Sequence, residues 1–385
     1  MRGKGINDDG LSINWADLMK HKHGFTDPTP QNMEDSLTNS GVTTLHGSAA
    51  FVDRHQLDVD GTLYEARNFL IATGAIPRPL NFPGSEHLID STDFLNLQNL
   101  PPRVLFIGGG LISFEFAHIA ARAGASPVII DRGERPLNGF DPDLVELLVK
   151  RGIPAGIHVR HSSTVTAVEK TTSGYRVTLE QSGVPSSIDT DLVVHGAGRI
   201  PELSGLNLKA AGIAASKHGV SVTDHLQSTT NPAAYAAGDA ADTPGMPLTP
   251  VAVLEGKVAA SNMLKGTMII PDYTGVPTTV FSIPELSRVG MLEHEARDKG
   301  FDLDIRYTDT SDWYSNYRIG ETTAATKILI NRATGRIIGA HMFGPGYGEL
   351  INFLGLAMKL DLTTRQLKSM VATYPSVASD LGSML

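Results

Sequence analysis

The 385-residue chain contains no cysteine. This excludes disulfides, thiolate metal sites, iron-sulfur clusters and any cysteine nucleophile or redox pair built from this chain alone. There are 13 histidines, but no H-x-x-x-H pair stands with a glutamate as a zinc helix requires. His21 and His23 read as surface residues, and no metal is expected. No run of eighteen apolar residues occurs, and the polar opening MRGKGINDDG lacks the apolar core of a signal peptide, so the expectation is a cytoplasmic protein with no membrane partner. The net charge of -9 offers no electrostatic footprint for nucleic acid. What remains, 41% hydrophobic and 19% charged residues, is the composition of a soluble globular chain long enough for two or three domains.

The most informative stretch is Arg103 to Asp131, RVLFIGGGLISFEFAHIAARAGASPVIID. An apolar run ends in Gly108-Gly109-Gly110, then Ile112, Phe116, Ile119 and Ala120 recur at helical spacing until Gly124, and Val128 to Ile130 begins a second strand. This reads as a βαβ unit. Gly108 permits the tight turn, and Gly110, lacking a Cβ, lets a pyrophosphate approach the helix N-terminus, where unpaired N–H groups favour an anion. Ser113 holds the third, close-packing position. Asp131 follows Gly110 by about 20 residues, where a carboxylate can bind a ribose 2′-hydroxyl. Asp131 favours NAD; Arg132 and Arg135 can hold the 2′-phosphate of NADP or lie on a solvated loop.

Before this unit, Thr29-Pro30 starts a helix that Gly41 stops, with weak amphipathic spacing from Leu18, Met19, Met33 and Leu37. Short β pieces are expected at 42–45, 50–52 and 62–66. Asp58 to Leu63, DVDGTL, resembles a phosphatase loop but follows polar residues and reads as an Asp-Gly hairpin turn. Phe69 to Ile71 is a buried strand running into Ala72-Thr73-Gly74, small residues that permit close approach of a cofactor. No Gly-rich phosphate loop precedes Ala72. Ser91 is expected to cap a short helix.

Beyond it, Asp141-Pro142 opens a helix, residues 164–170 and 175–179 form a hairpin, and residues 191–195 form a strand ending near Gly198. His195 reads as packed rather than catalytic. Residues 231–239 form a strand ending in Gly238-Asp239, whose carboxylate can accept a hydrogen bond from a ribityl hydroxyl. Thr249-Pro250 then starts a helix whose N-terminus can face a flavin pyrimidine. From Thr278 the pattern becomes an α+β tail with a hairpin turn at Arg332 to Gly335 and helices near 349–360 and 364–370.

In this order the motifs resemble the FAD-dependent pyridine nucleotide-disulfide oxidoreductases, the family of glutathione reductase, mercuric reductase and lipoamide dehydrogenase: IATGAIP at 71–77, GGGLISFEFA at 108–117, GAGRIP at 196–201, YAAGDAA at 235–241 and LTPVAVLEGKVAA at 248–260. FSIPELSRVG, GRIIGAHMFGP and ELINFLGLAM resemble its dimerisation domain. The resemblance implies an α/β fold of two interleaved Rossmann-like domains, the FAD one incomplete (1–100 and 201–274), the NAD(P) one at 101–200, and an α+β dimerisation domain at 275–385. It implies FAD against Ala72, Thr73, Gly74, Gly238 and Asp239, NAD(P)H against Gly108, Gly110 and Asp131, and Glu115 near the nicotinamide. It further implies a small-molecule electron acceptor, and a homodimer formed from about residue 275 onward is expected because Phe343, Leu350, Ile351, Phe353, Leu354 and Met358 offer more apolar surface than one small sheet buries.

Two departures stand out. The family's N-terminal FAD loop and C-x-x-x-x-C pair have no counterpart here, and its His-Pro-Thr reads Tyr374-Pro375-Ser376. The expectation is an NAD(P)H-dependent flavin oxidoreductase scaffold, truncated or diverged at its amino end, that does not reduce disulfides as it stands; the alternative is a non-catalytic dimeric binding or assembly module.

Overall fold

Val104 to Ile107 and Val128 to Ile130 are short, wholly apolar and almost wholly buried, the pattern of strands covered on both faces. In the structure, a computed structural model describing residues 5–7, 9–266 and 268–385, they are neighbours in a parallel sheet ordered Leu192–His195, Arg103–Ile107, Ser126–Ile130, His158–Arg160. Residues 1–4 and 8 of the polar opening lie outside the described residues.

The chain divides into two units. The first contains residues up to Met19, Pro79–Ala197 and Thr274–Leu385. One face of its parallel sheet packs on the helices Leu111–Arg122 and Pro142–Gly152; the other is covered by an antiparallel meander of Thr164–Thr171, Gly174–Gln181 and Val184–Thr190. The third meander strand was not expected, because its alternation over VPSSIDT carries only two apolar residues. The core is continuous into the C-terminal sheet, since Val280, Leu286, Ala325 and Phe343 pack with Phe106 and Phe114. That sheet has five antiparallel strands in the order Pro277–Val280, Leu286–Gly290, Arg336–Phe343, Ala325–Asn331, Leu303–Asp309, with the helix Tyr347–Lys359 on it.

The second unit, Lys20–Arg78 and Gly198–Tyr273, is built from small sheets. Phe69–Ile71 pairs in parallel with Ala234–Ala236, with the helix Thr249–Lys265 against the latter. Asp58 to Leu63 forms the hairpin turn anticipated, Asp60 and Gly61 both taking positive φ between the strands Gln56–Val59 and Thr62–Glu65.

Several local expectations are corrected. Residues 42–45 form no strand. The helix Thr29–Asn39 buries none of its residues, so Met33 and Leu37 are exposed. Ser91 is the first helical residue and Asp90 is the cap, accepting from the N–H groups of Thr92 and Asp93. Ile119 is partly exposed while Phe114 and Ala117 are buried, which rotates the helix face.

Two buried histidines carry a pH dependence. Burial, then the charges of Arg122 and Arg151, pushes His118 down to about 4; burial pushes His341 down to about 3. Both stay neutral when folded, so above pH 6.5 they cost nothing. As pH falls below 6.5 the unfolded chain takes up protons that the folded chain refuses, and by pH 5 each group costs about 2 kcal/mol. Urea midpoints should therefore drop steeply from pH 6.5 to 4.5, and His118→Gln should flatten the drop by about half; a pH-independent midpoint would rule this out.

Candidate dinucleotide and flavin sites

Strand order reverses direction between Arg103–Ile107 and Leu192–His195, one strand continuing toward Ser126 and the other lying on the opposite side. At such a switch point the strand ends splay and leave a crevice. Gly108 and Gly196 occupy it: the N–H of Gly108 donates to Ile130 O at 2.7 Å and that of Gly196 to Ile107 O at 2.8 Å. Gly108 has φ 108°, and a Cβ there would lie 2.3 Å from Gly196 O. Gly110 differs. It is the extended N-cap of Leu111–Arg122, no side chain caps the helix, and a Cβ on it would meet only Gly196 O, at 3.7 Å. Space and unpaired N–H groups are thus placed together, which fits a pyrophosphate.

Ser113 is wholly buried, its Oγ without a hydrogen-bond partner, and a Cβ on Gly196 would lie 2.0 Å from that oxygen. It is a packing residue under the crevice. Asp131, at the end of its strand, turns its carboxylate toward Gly109, where a Cβ would lie 2.7 Å from Oδ2. Arg132 is exposed. Arg135 donates to Phe140 O at 2.9 Å and to Asn138 O at 3.2 Å, so it clamps its own loop rather than standing free for a phosphate.

Glu115 is half-buried and accepts the Phe281 N–H at 3.0 Å; burial, only partly offset by that bond, raises its pKa. One turn on, His118 Nδ1 accepts the Ile283 N–H at 3.2 Å, and Arg122 donates to Ile283 O at 3.2 Å. Glu115, His118 and Arg122 therefore hold the backbone of Phe281–Ile283 along one helix face. The signal for His118 and Arg122 was their i+3 and i+7 spacing from Glu115, polar positions in an otherwise apolar helix.

In the second unit, Thr73 Oγ1 donates to Glu202 O and the Glu202 N–H donates to Gly74 O at 2.9 Å, so the Ala72-Thr73-Gly74 turn is tied down with Gly74 at φ 73°. Gly238 at φ 66° begins the turn that presents Asp239, whose carboxylate has no partner among the described residues. The Gly238 N–H donates to Glu255 Oε2 at 2.7 Å. Glu255 is buried and also accepts from Thr243 Oγ1 and Tyr273 Oη, each at 2.7 Å. It lies within the LTPVAVLEGKVAA motif yet escaped notice, because a carboxylate in a helix is ordinarily a surface residue. Thr249 opens Thr249–Lys265, exposed and without a side-chain cap, and Gly198 is exposed with φ 101°. Tyr374 is 81% exposed, while Ser376 Oγ accepts from the Ser379 N–H as the cap of a short turn.

These residues fit a flavin nucleotide in part. Asp239 and the Thr73-Gly74 turn supply an acceptor and close backbone, but among the described residues the strand Phe69–Ile71 pairs on one edge only. Phe69 N–H donates to Ala233 O and Ile71 O accepts from Ala237, leaving the Leu70 groups facing the open edge. Among the described residues nothing there supplies a phosphate-binding turn.

The chain thus combines a glycine-lined crevice at a parallel-sheet switch point, a second unit with Gly-Asp and Thr-Gly turns, and a five-stranded C-terminal sheet. Residues 11–256 match the pyridine nucleotide-disulphide oxidoreductases and residues 276–385 match the dimerisation domain of that family. The chain belongs to this family. It is 30% identical to a mercuric reductase of Bacillus cereus over 380 residues, 98% of this chain and 60% of that protein. It is likewise 30% identical to a dihydrolipoyl dehydrogenase of Geobacillus stearothermophilus (97% of this chain, 80% of that one) and a glutathione reductase of Burkholderia cepacia (98% and 83%). The chain thus spans less than two thirds of the mercuric reductase it matches. Its fold is similar to that of the HOCl-induced flavoprotein disulfide reductase RclA from Escherichia coli, with TM-score 0.89 and 24% identity over 98% of this chain and 87% of that one.

Gly110→Val provides a direct test of the crevice. The extended backbone and open surroundings accept the side chain, so the variant should fold with an unchanged circular dichroism spectrum, yet the branched side chain occupies the anion's approach and should weaken NAD(P)H binding by at least about a hundredfold. Unchanged affinity in the folded variant would remove the assignment.

Proposed function

We propose that the chain acts as an NAD(P)H-dependent flavin oxidoreductase, with a dinucleotide-binding domain at 101–200, a flavin domain at 1–100 and 201–274, and a dimerisation domain at 275–385. The observation that supports this is the crevice in which Gly110 is left open, with the Asp131 carboxylate turned to the neighbouring Gly109 and without a hydrogen-bond partner among the described residues. When bound, FAD supplies the acceptor for hydride from the nicotinamide. The chain's own part is to bind and orient. Gly108 and Gly110 admit the pyrophosphate, Asp131 the adenosine ribose, and Glu115, fixed on Phe281, lies on the nicotinamide side by family resemblance. Asp239, aimed by Gly238 through Glu255, and the Ala72-Thr73-Gly74 turn hold the ribityl side of the flavin; Thr249 opens the helix toward its ring.

The electron acceptor is a small molecule, and the acidic, polar composition fits the cytoplasm. With no cysteine in its 385 residues, the chain has no thiol of its own to carry electrons to a disulfide. The second reading, a non-catalytic dimeric module, is favoured by the one-sided strand Phe69–Ile71 and by Tyr374 and Ser376 in place of the family's His-Pro-Thr.

The two readings separate on flavin. Missing several charge-assisted hydrogen bonds to phosphate, each about 1.5 to 3 kcal/mol, the chain should retain little FAD after dialysis and should not turn over glutathione disulfide with NADPH. Flavin added in excess should be bleached by NAD(P)H if the catalytic reading holds; a chain that never reduces added flavin supports the assembly reading, and stoichiometric retained FAD would contradict the binding argument.

A homodimer forms through the C-terminal domain. Most of the apolar residues that suggested it, Phe343, Leu350, Ile351 and Leu354, are buried in their own chain; the face left outside is Phe353, Leu356 and Leu360, 42%, 55% and 58% exposed. Light scattering at micromolar concentration should give twice the chain mass, and Leu356→Glu should move it toward the monomer; a wild-type monomer would refute the dimer.

A further inference from the structure

The loop that follows the strand Ser126–Ile130 folds back over the glycine turn. Leu137, buried in that loop, takes a left-handed φ of 50°, which leucine rarely adopts, and its N–H donates to Gly109 O at 2.8 Å. That bond sets the turn. In a planar trans peptide the carbonyl and the following N–H point opposite ways, so fixing Gly109 O toward Leu137 fixes the Gly110 N–H away from the loop, at the start of the uncapped helix Leu111–Arg122. The approach is close: a Cβ on Gly109 would lie 2.8 Å from Pro136 Cβ.

Two arginines hold the far end of the loop, where Asn138 O, Gly139 O and Phe140 O are successive acceptors. Arg135, from within the loop, takes the first and last, at 3.2 and 2.9 Å. Gly139 O accepts instead from Arg288, whose Cζ also stands 5.9 Å from the centroid of the Phe140 ring. Arg288 lies on Leu286–Gly290 of the C-terminal sheet, paired across with His341. It is half-buried, and burial, partly offset by the charge of Glu295, lowers its pKa. A desolvated guanidinium holds a carbonyl and a ring face more firmly than a solvated one.

Resting on the dinucleotide reading above, we propose that Arg288 is a positioning residue of the dinucleotide site: from the C-terminal sheet it holds loop 132–140 in the form that orients the Gly110 N–H for a pyrophosphate. It touches no ligand. It acts through Gly139 and Phe140 on Leu137, and through Leu137 on the glycine turn, so affinity for the dinucleotide depends on a side chain of another domain.

The test is calorimetric titration of the full chain with ADP-ribose, a probe that needs no flavin, alongside amide hydrogen exchange read by mass spectrometry. Arg288→Gln should weaken ADP-ribose by at least about tenfold and speed exchange in peptides covering 132–140 by a similar factor, while peptides covering Leu192–His195 keep their wild-type rates. Phe140→Leu removes the ring beneath the guanidinium from the loop side and should weaken the probe by about threefold, which carries the test if Arg288→Gln does not fold. Wild-type affinity in the folded variants, with or without faster loop exchange, makes Arg288 a strut only and overturns the proposal. A loss of affinity accompanied by faster exchange throughout the parallel sheet overturns it too. Either result leaves the dinucleotide site standing, whereas no binding of ADP-ribose by the wild type overturns both.

Discussion

The close approach of two backbones at the switch point is the constraint on which the first unit depends. Gly108 and Gly196 end neighbouring strands, and neither tolerates a Cβ: one would strike Gly196 O at 2.3 Å, the other Ser113 Oγ at 2.0 Å. Because the strands meet this tightly, the helix Leu111–Arg122 starts directly against the sheet and its first N–H groups open into the crevice instead of into a longer loop. The small Ser113 is what permits it. Its hydroxyl is buried without a partner, a cost accepted where Gly or Ala is the usual choice.

The same helix is gripped from outside. Glu115, His118 and Arg122 each reach main-chain atoms of Phe281 or Ile283, so the C-terminal domain is attached to this helix through backbone groups that tolerate changes in the side chains they bear. A second anchor is ionic. Lys327, 7% exposed, reaches Asp143 and Glu293 at 2.8 Å and stands in charge contact with Asp141, the cap of Pro142–Gly152. Burial alone would lower its pKa, but the hydrogen bonds to Asp143 and Glu293 and the charge of Asp141 outweigh this and raise it. Burial keeps Asp141 itself above the usual carboxylate range despite that lysine. Removing a carboxylate here is costly chiefly through the buried pair, since Lys327 and Asp141 are out of water while Asp143 is more than half exposed.

What was legible in the chain was local. The βαβ unit at 103–131, the Asp141 cap, the Asp60-Gly61 turn and the hairpin at 332–335 follow from residues adjacent in sequence, where turn chemistry and periodicity act directly. Gly108 and Gly110 could be assigned different tasks, and their surroundings differ accordingly. What was hidden depends on partners far along the chain. Arg135 reads as a free cation until Phe140 O and Asn138 O are placed beside it, and Phe343 or Leu354 reads as interface until the strands that cover it are known. Glu255 is the sharpest case, because none of its three donors is within ten residues.

That carboxylate also explains why the flavin half differs in kind from the dinucleotide half. At Gly110 no side chain caps the helix; at Gly238 the N–H is already taken by Glu255, so that donor is not open to an anion, and the turn presents the Asp239 carboxylate instead. The two glycine turns are therefore not equivalent phosphate cradles. The second is a rigid mount for a carboxylate acceptor, suited to hydroxyl groups and unsuited to pyrophosphate. With no strand paired to the Leu70 edge of Phe69–Ile71 among the described residues, the backbone groups of Leu70 stay open on the side away from Ala234–Ala236, whereas the Gly238 N–H is engaged.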